Sequence, residues 1–496
     1  MKESTSVSYK NIFKSTFLFA FVQLFNILAK VGLNKSAAVF LGSEGVGVIS
    51  IYQSLVDMLK TFMGFGIPQS AVRDIAKMSA ENNQEQISKT IIATKRVVYL
   101  TALLGAFITI VFSSYLSEWS FGNNEYKIEI CILSIVILLM IITEGQLSIL
   151  KGMRQLRSLA KASIFGSVAG LLSGIPLYFF FGYDGIVPTL IVVAITAVLF
   201  SSLYSDRVQC IRVDLSFESF VSEISSMVKM GMALMYVSFL GLLYNYLIKI
   251  YIVNTSGLEM VGFFQAGATI VTSYLGIITT AMATDYYPRI SAIHDDNKKL
   301  TEEVNKQSTI GLLLIAPLIV VLILFLPFII TLLYSSDFLS SMDYIIFAVF
   351  GTVIMICSNA IGMILLAKQN TKIFFFSVTF SRVLGIIVTI ISYNLYGLKG
   401  LGVSVTIIAI LHMLLMQTIM YQLYKIKFNL TTIKLLLINL IFIFVAFVLS
   451  EFDHLYIKYS LGGGLIIISS IFSVYNLQTL MGINIRNIIK KKLFKR

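Results

Sequence analysis

Six ionisable side chains stand inside long apolar runs: Lys30, Asp57, Lys60, Glu144, Lys249 and Arg382. Hydrocarbon opposes charge, so an ionisable residue at membrane depth reads first as part of a pathway or a binding site. Lys30 precedes the Gly-rich turn Leu41–Gly47 by about ten residues, roughly 15 Å of helix, too deep for easy snorkelling to the outer surface. Asp57 and Lys60 are three residues apart and share a helical face, with Lys60 similarly deep. The plainer alternative is a local ion pair that neutralises itself, with Lys30 facing a polar seam. Lys249 stands roughly 6 Å from the outer end of its run, where snorkelling competes with a site. Arg382 is buried within its run, which favours a lined cavity. Glu144 is either a proton or sodium site or the partner of one of the cations. Cations outnumber carboxylates in this set. Buried positive charge in excess calls for an anion, and a phosphate-bearing cargo of a transporter is the simplest one.

These residues are carried by helices. Of 496 residues, 57% are hydrophobic and 13% charged, against about 25% charged in soluble domains. Apolar runs of spanning length recur throughout. They predict an all-α polytopic membrane protein with about fourteen transmembrane helices: 11–39, 46–72, 90–113, 128–150, 159–181, 185–204, 230–253, 260–284, 307–333, 343–367, 372–395, 400–424, 432–450 and 460–482. The first run lacks a small-residue cleavage site and is expected to be a retained helix. With the N-terminus inside, every Lys and Arg except Lys30, Lys35, Lys60, Lys127, Lys249, Arg382, Lys399 and Lys458 falls on the cytoplasmic side. That asymmetry places both termini in the cytoplasm and accounts for the net charge of +13 without nucleic acid. The terminal RNIIKKKLFKR is expected on anionic headgroups.

Other chemistries find little support. Cys131, Cys210 and Cys357 suggest neither a disulfide framework nor a metal site. His294, His412 and His454 are too scattered for a metal cluster, and no cofactor is expected. His412 reads as a hydrogen-bonded packing residue before a proton relay. Gly166, Gly170 and Gly174 form a small-residue ladder suited to close helix packing. The longest outer loop, 114–127, holds the single tryptophan, Trp119, as an interfacial anchor, and has no catalytic constellation.

The chain also repeats. Glu44-Gly45-Val46-Gly47 is echoed 215 residues later by Glu259-Met260-Val261-Gly262, and the same offset relates Gly182 and Gly185 to Gly397 and Gly400, and Tyr178 to Tyr393. This predicts two six-helix lobes, 1–204 and 230–424, in parallel repeat, with a pseudo-two-fold along the membrane normal and substrate near the midplane between them. Residues 205–229 link them. Phe217, Phe220, Val221, Ile224 and Val228 recur there at helical spacing, as in an amphipathic helix on the inner leaflet. Residues 425–496 add two helices and a basic tail. The charged turn at Glu44 is architectural in this reading, and function falls on Lys30, Lys60 and Lys249.

LGSEGVGVISIYQS (41–54), IKIYIVNTSGLEMVGFFQAG (248–267), TDYYPRIS (284–291), LLYSSDF (332–338) and LLAKQNTK (365–372) resemble, in order and spacing, segments of oligosaccharide flippases. These are the O-antigen and enterobacterial-common-antigen translocases of the multidrug/oligosaccharidyl-lipid/polysaccharide exporter superfamily. The resemblance covers spans 1–12. It implies two six-helix bundles around a central cavity with alternating access. It also implies export of an undecaprenyl-pyrophosphate-linked oligosaccharide from the inner to the outer leaflet of a bacterial inner membrane, beside the polymerase and chain-length proteins of the same pathway. Lys30, Lys60 and Lys249 match cavity cations of such flippases by position and charge, with Lys where relatives have Arg, which weakens bidentate pyrophosphate binding. The alternatives are a cation-coupled multidrug exporter of the same fold, disfavoured by the positive cavity, and a membrane polymerase or glycosyltransferase, disfavoured by the short outer loops.

Overall fold

A computed structural model describes residues 2–81, 83–211, 213 and 216–481. Its described elements are all helical: α1 (Lys2–Met63), α2 (Ile67–Ala80), α3 (Gln84–Val111), α4 (Ser113–Phe121), α5 (Lys127–Gly152), α6 (Leu156–Phe181), α7 (Ile186–Ser205), α8 (Phe217–Ser256), α9 (Leu258–Ala268), a π-helix (Thr269–Tyr274), α10 (Gly276–Ala292), α11 (Asn297–Leu324), α12 (Leu326–Leu333), α13 (Met342–Ala367), α14 (Thr371–Tyr424), α15 (Leu430–Ser450) and α16 (Leu455–Met481). Among the described residues ten helices are long and apolar enough to cross a membrane. Spans 1–2 fall in one of these and spans 11–12 in another, because α1 and α14 are each two helices joined directly at a kink, with non-helical backbone at Gly42 and Gly397 alone. Spans 5 and 6 likewise meet at Gly182. Span 8 is not among the ten, since the π-helix divides it from α9 to α10. Two predicted boundaries shift. The second span stops at Met63, not 72, because Phe65 and Gly66 take positive φ and Pro68 opens α2. The amphipathic segment at 217–228 is not a separate helix; capped by Ser216, it forms the start of the 40-residue α8, with Phe217 80% exposed. The basic tail beyond Met481 lies outside the described residues.

The turns repeat in backbone geometry as well as in sequence. Gly42 (φ 68°, ψ −168°) and Gly257 (φ 87°, ψ 177°) stand 215 residues apart, as do Gly182 (φ 55°, ψ −128°) and Gly397 (φ 56°, ψ −133°). A side chain is penalised at such φ, which explains glycine at each. The first pair also brings two backbones together. A Cβ on Gly47 would stand 2.1 Å from the Leu258 carbonyl oxygen, and one on Gly262 would stand 1.9 Å from the Ser43 carbonyl oxygen. The contact is reciprocal at the repeat offset.

Contacts sort the chain into two compact units, residues 1–262 with 333–335, and residues 263–332 with 336–496. By packing, α8 therefore groups with the first unit, although the repeat assigns it to the second half. In the first unit the arm of α1 that follows Gly42, its inner arm, is the core element, with Ile51, Tyr52, Leu55 and Val56 buried. The Gly166–Gly170–Gly174 ladder of α6 lies against Ala197, Thr196, Val193 and Thr189 of α7, as its spacing predicts. Trp119 of α4 makes an edge contact with Tyr246 of α8 at 5.5 Å, and the Tyr246 hydroxyl lies 2.5 Å from Ser120 Oγ.

In the second unit α11 is the buried element. The TDYYPRIS motif stitches α10 to its neighbours: Arg289 reaches Asp285 at 2.9 Å, Glu303 at 2.6 Å and Gln307 at 3.1 Å, and the Tyr286 hydroxyl donates to the Ala360 carbonyl at 3.0 Å. Asp296 caps α11, and the Lys299 backbone amide holds its carboxyl below the usual aspartate range. Asn305 fastens α15 to α11: its Oδ1 accepts from Asn429 N and Thr432 Oγ1, both at 2.8 Å, and its Nδ2 donates to the Lys427 carbonyl at 3.1 Å. His412 is hydrogen-bonded to Ser358 across α13 and α14, in keeping with a packing role.

Candidate functional site

The inner arm of α1 carries Ser50, Ser54, Asp57 and Lys60, spaced by four, three and three residues. Such spacing sets a polar stripe on one face of a helix. The arm is core, so the stripe is held among protein neighbours. α5 and α8 supply its partners, Glu144 and Lys249.

At the inner end Lys60 Nζ sits between two carboxylates, 3.0 Å from Asp57 Oδ1 and 2.9 Å from Glu144 Oε1. The lysine side chain is 14% exposed, whereas Asp57 and Glu144 are 42% and 39% exposed. The ammonium is thus the enclosed member, and its partners reach toward open space. Gly145, next to Glu144, leaves room for Val98 of α3, where a Cβ would meet that side chain at 2.7 Å; this close approach seats α5 beside α3.

One and a half turns further out, Lys249 of α8 is buried, 7% exposed. Its Nζ donates to Ser54 Oγ at 2.7 Å and to the Ser50 carbonyl at 3.3 Å, while Ser54 Oγ donates to that same carbonyl at 2.8 Å. Asp57 acts on Lys249 electrostatically, but no carboxylate forms an ion pair with it among the described residues. A buried ammonium held by hydroxyl and carbonyl oxygens is a cation whose charge is only partly compensated. Ser54 and Lys60 are six residues apart, about 9 Å along the axis. Two lysines therefore flank Asp57 along one helix face, with Lys60 in the last turn of α1 before its end at Met63 and so shallower than a span running to 72 predicts, and an anion that displaces the carboxylates would meet both.

Of the six residues singled out by sequence, four meet here: Asp57, Lys60, Glu144 and Lys249. For Glu144, the structure shows the ion-pair partner among its alternatives. Lys30 is exposed on the arm of α1 that precedes Gly42, and Arg382, in the second compact unit, is exposed on α14. Ser50 and Ser54 are members that hydropathy passes over. Their signal is two small hydroxyls four residues apart, in register with Asp57 and Lys60. Among the described residues no group of three His, Cys, Asp or Glu could hold a metal.

A family described as "Polysaccharide biosynthesis protein" matches residues 37–343. The chain is 23% identical over 353 residues to the "Lipid III flippase" of Escherichia coli (strain K12), covering 70% of this chain and 84% of that protein. It is 25% identical over 307 residues to a "Putative O-antigen transporter" of Shigella flexneri, covering 60% and 71%. In fold it is similar to "Lipid II flippase MurJ, inward closed conformation", with a TM-score of 0.71 at 18% identity over 93% of this chain and 99% of the other. It is also similar to an inward-facing multidrug resistance MATE transporter of the MOP superfamily, with a TM-score of 0.65 at 14% identity over 81% and 96%.

Proposed function

We propose that this chain, which belongs to the polysaccharide biosynthesis protein family, is a flippase that moves an undecaprenyl-pyrophosphate-linked oligosaccharide from the cytoplasmic to the periplasmic leaflet of a bacterial inner membrane. The observation that carries the reading is the pair of lysines, Lys60 and Lys249, lined along one face of α1 within spanning helices. Ammonium groups at that depth offset the desolvation of a diphosphate and have little use against a cationic drug. The relatives are named as flippases and transporters rather than enzymes, in line with lipid-linked oligosaccharide flipping. The lysine and arginine asymmetry of the loops supports cytoplasmic termini. Lys30 and Arg382 are further cations of the cargo's route in this reading, and the cargo crosses by alternating access. The test is complementation of a flippase-null strain, paired with leaflet transfer of a fluorescent polyprenyl-diphospho-sugar in proteoliposomes. Restored surface glycan and protein-dependent transfer are expected. Transfer of a cationic dye with no transfer of the diphospho-sugar would replace the reading with that of a multidrug exporter.

A further inference from the structure

We infer that Glu144 is the resident counter-anion of the site: it neutralises Lys60 when no cargo is bound, so that the empty carrier can close and return. The inference rests on the anionic cargo proposed above. A carrier that releases a diphosphate on the far side must reset with its cations still inside. An ammonium left alone in an enclosed site resists that step, because burying an unpaired charge is strongly unfavourable. The stripe on α1 holds its own remedy. Asp57 and Glu144 equal Lys60 and Lys249 in number, and the enclosed Lys60 is contacted by both carboxylates.

The two carboxylates are not equivalent. Asp57 sits on the same helix three residues from Lys60 and moves with it, and its field also acts on Lys249. Glu144 comes from α5, so its 2.9 Å contact is the one that breaks when α1 and α5 move apart or when a phosphate oxygen takes its place. At 39% exposed, its side chain has water to retreat into when displaced. The position 215 residues later is the neutral Asn359, so the device belongs to one repeat alone.

The experiment compares net transfer with exchange, using the full chain in proteoliposomes and fluorescent farnesyl-diphospho-N-acetylglucosamine as probe. Net transfer requires the empty return; exchange against unlabelled probe in the opposite leaflet does not. In Glu144→Gln the probe is expected to bind more tightly, net transfer to fall about tenfold, and the ratio of exchange to net transfer to rise about tenfold. Glu144→Asp keeps the charge at shorter reach and is expected to give an intermediate ratio, which serves if the Gln variant folds poorly. Equal loss of exchange and net transfer, or no change in either, would overturn the counter-anion role while leaving the flippase reading intact. Absence of probe binding and transfer in the unaltered protein would overturn both.

Discussion

Lys249 Nζ lies 2.7 Å from Ser54 Oγ, so a buried ammonium on α8 is tied to a hydroxyl on α1. The bond joins two helices 195 positions apart in sequence and keeps a cation at membrane depth without a carboxylate ion pair among the described residues. Removing one side of it separates structure from transport. Ser54→Ala leaves the ammonium short of an acceptor and is expected to cost about 1–3 kcal/mol, read as a fall in thermal midpoint in detergent. Lys249→Met removes the charge and keeps much of the volume. Its fold is expected to survive, since apolar replacement of a buried charge is often neutral, while transfer of a diphospho-sugar is lost. A Lys249→Met protein that transfers cargo normally would assign the lysine to packing alone.

Lys60→Ala leaves Asp57 and Glu144 facing the same space with no cation between them. Transfer is expected to fall about tenfold or more, the scale for truncating one partner of a hydrogen-bonded charge pair. Membrane insertion is expected to stay intact. Full complementation of a flippase-null strain by this variant would count heavily against the cation site.

Lys30 is exposed on the arm of α1 that precedes Gly42. If it meets the cargo as a charge, Lys30→Arg should be tolerated better than Lys30→Gln. The measurement is complementation efficiency at matched expression. Equal activity of the two variants removes charge from the role of Lys30.

Gly262 meets the Ser43 backbone so closely that a Cβ would stand 1.9 Å from its carbonyl oxygen. Gly262→Ala must push the two turns apart, at about 1–3 kcal/mol for overpacking. Gly47→Ala should act similarly through Leu258. A thermal midpoint unchanged in both variants would show that the turns part without resistance.

Arg289 is contacted by Asp285, Glu303 and Gln307 and is 44% exposed. Solvent screening limits the expected loss in Arg289→Ala to about 1 kcal/mol. The variant should lower stability and leave the probe's affinity unchanged, as measured by unfolding and binding on the same preparation.

How far the sequence leads differs from one feature to the next, for physical reasons. The Asp57–Lys60 pair is legible because a helix places residues three apart on one face. Glu144 as third member is not, because α5 meets α1 only through tertiary packing. The turn at Gly42 is legible from its glycines and from its echo at Gly257. The end of α1 at Met63 is obscured because Ile67, Ala71 and Val72 keep hydropathy high across a break made by Gly66 and Pro68. The start of α8 misleads in the opposite sense: composition changes near residue 229, yet nothing in the backbone interrupts the helix there. Ser50 and Ser54 are ordinary intrahelical hydroxyls until Lys249 is placed beside them.

The most direct measurement is leaflet transfer of a fluorescent polyprenyl-diphospho-sugar in proteoliposomes by the unaltered chain and by a Lys60→Ala/Lys249→Met double variant matched for insertion. The expected result is protein-dependent transfer by the former and background transfer by the latter. Equal transfer by both would contradict the assignment of diphosphate handling to these two lysines.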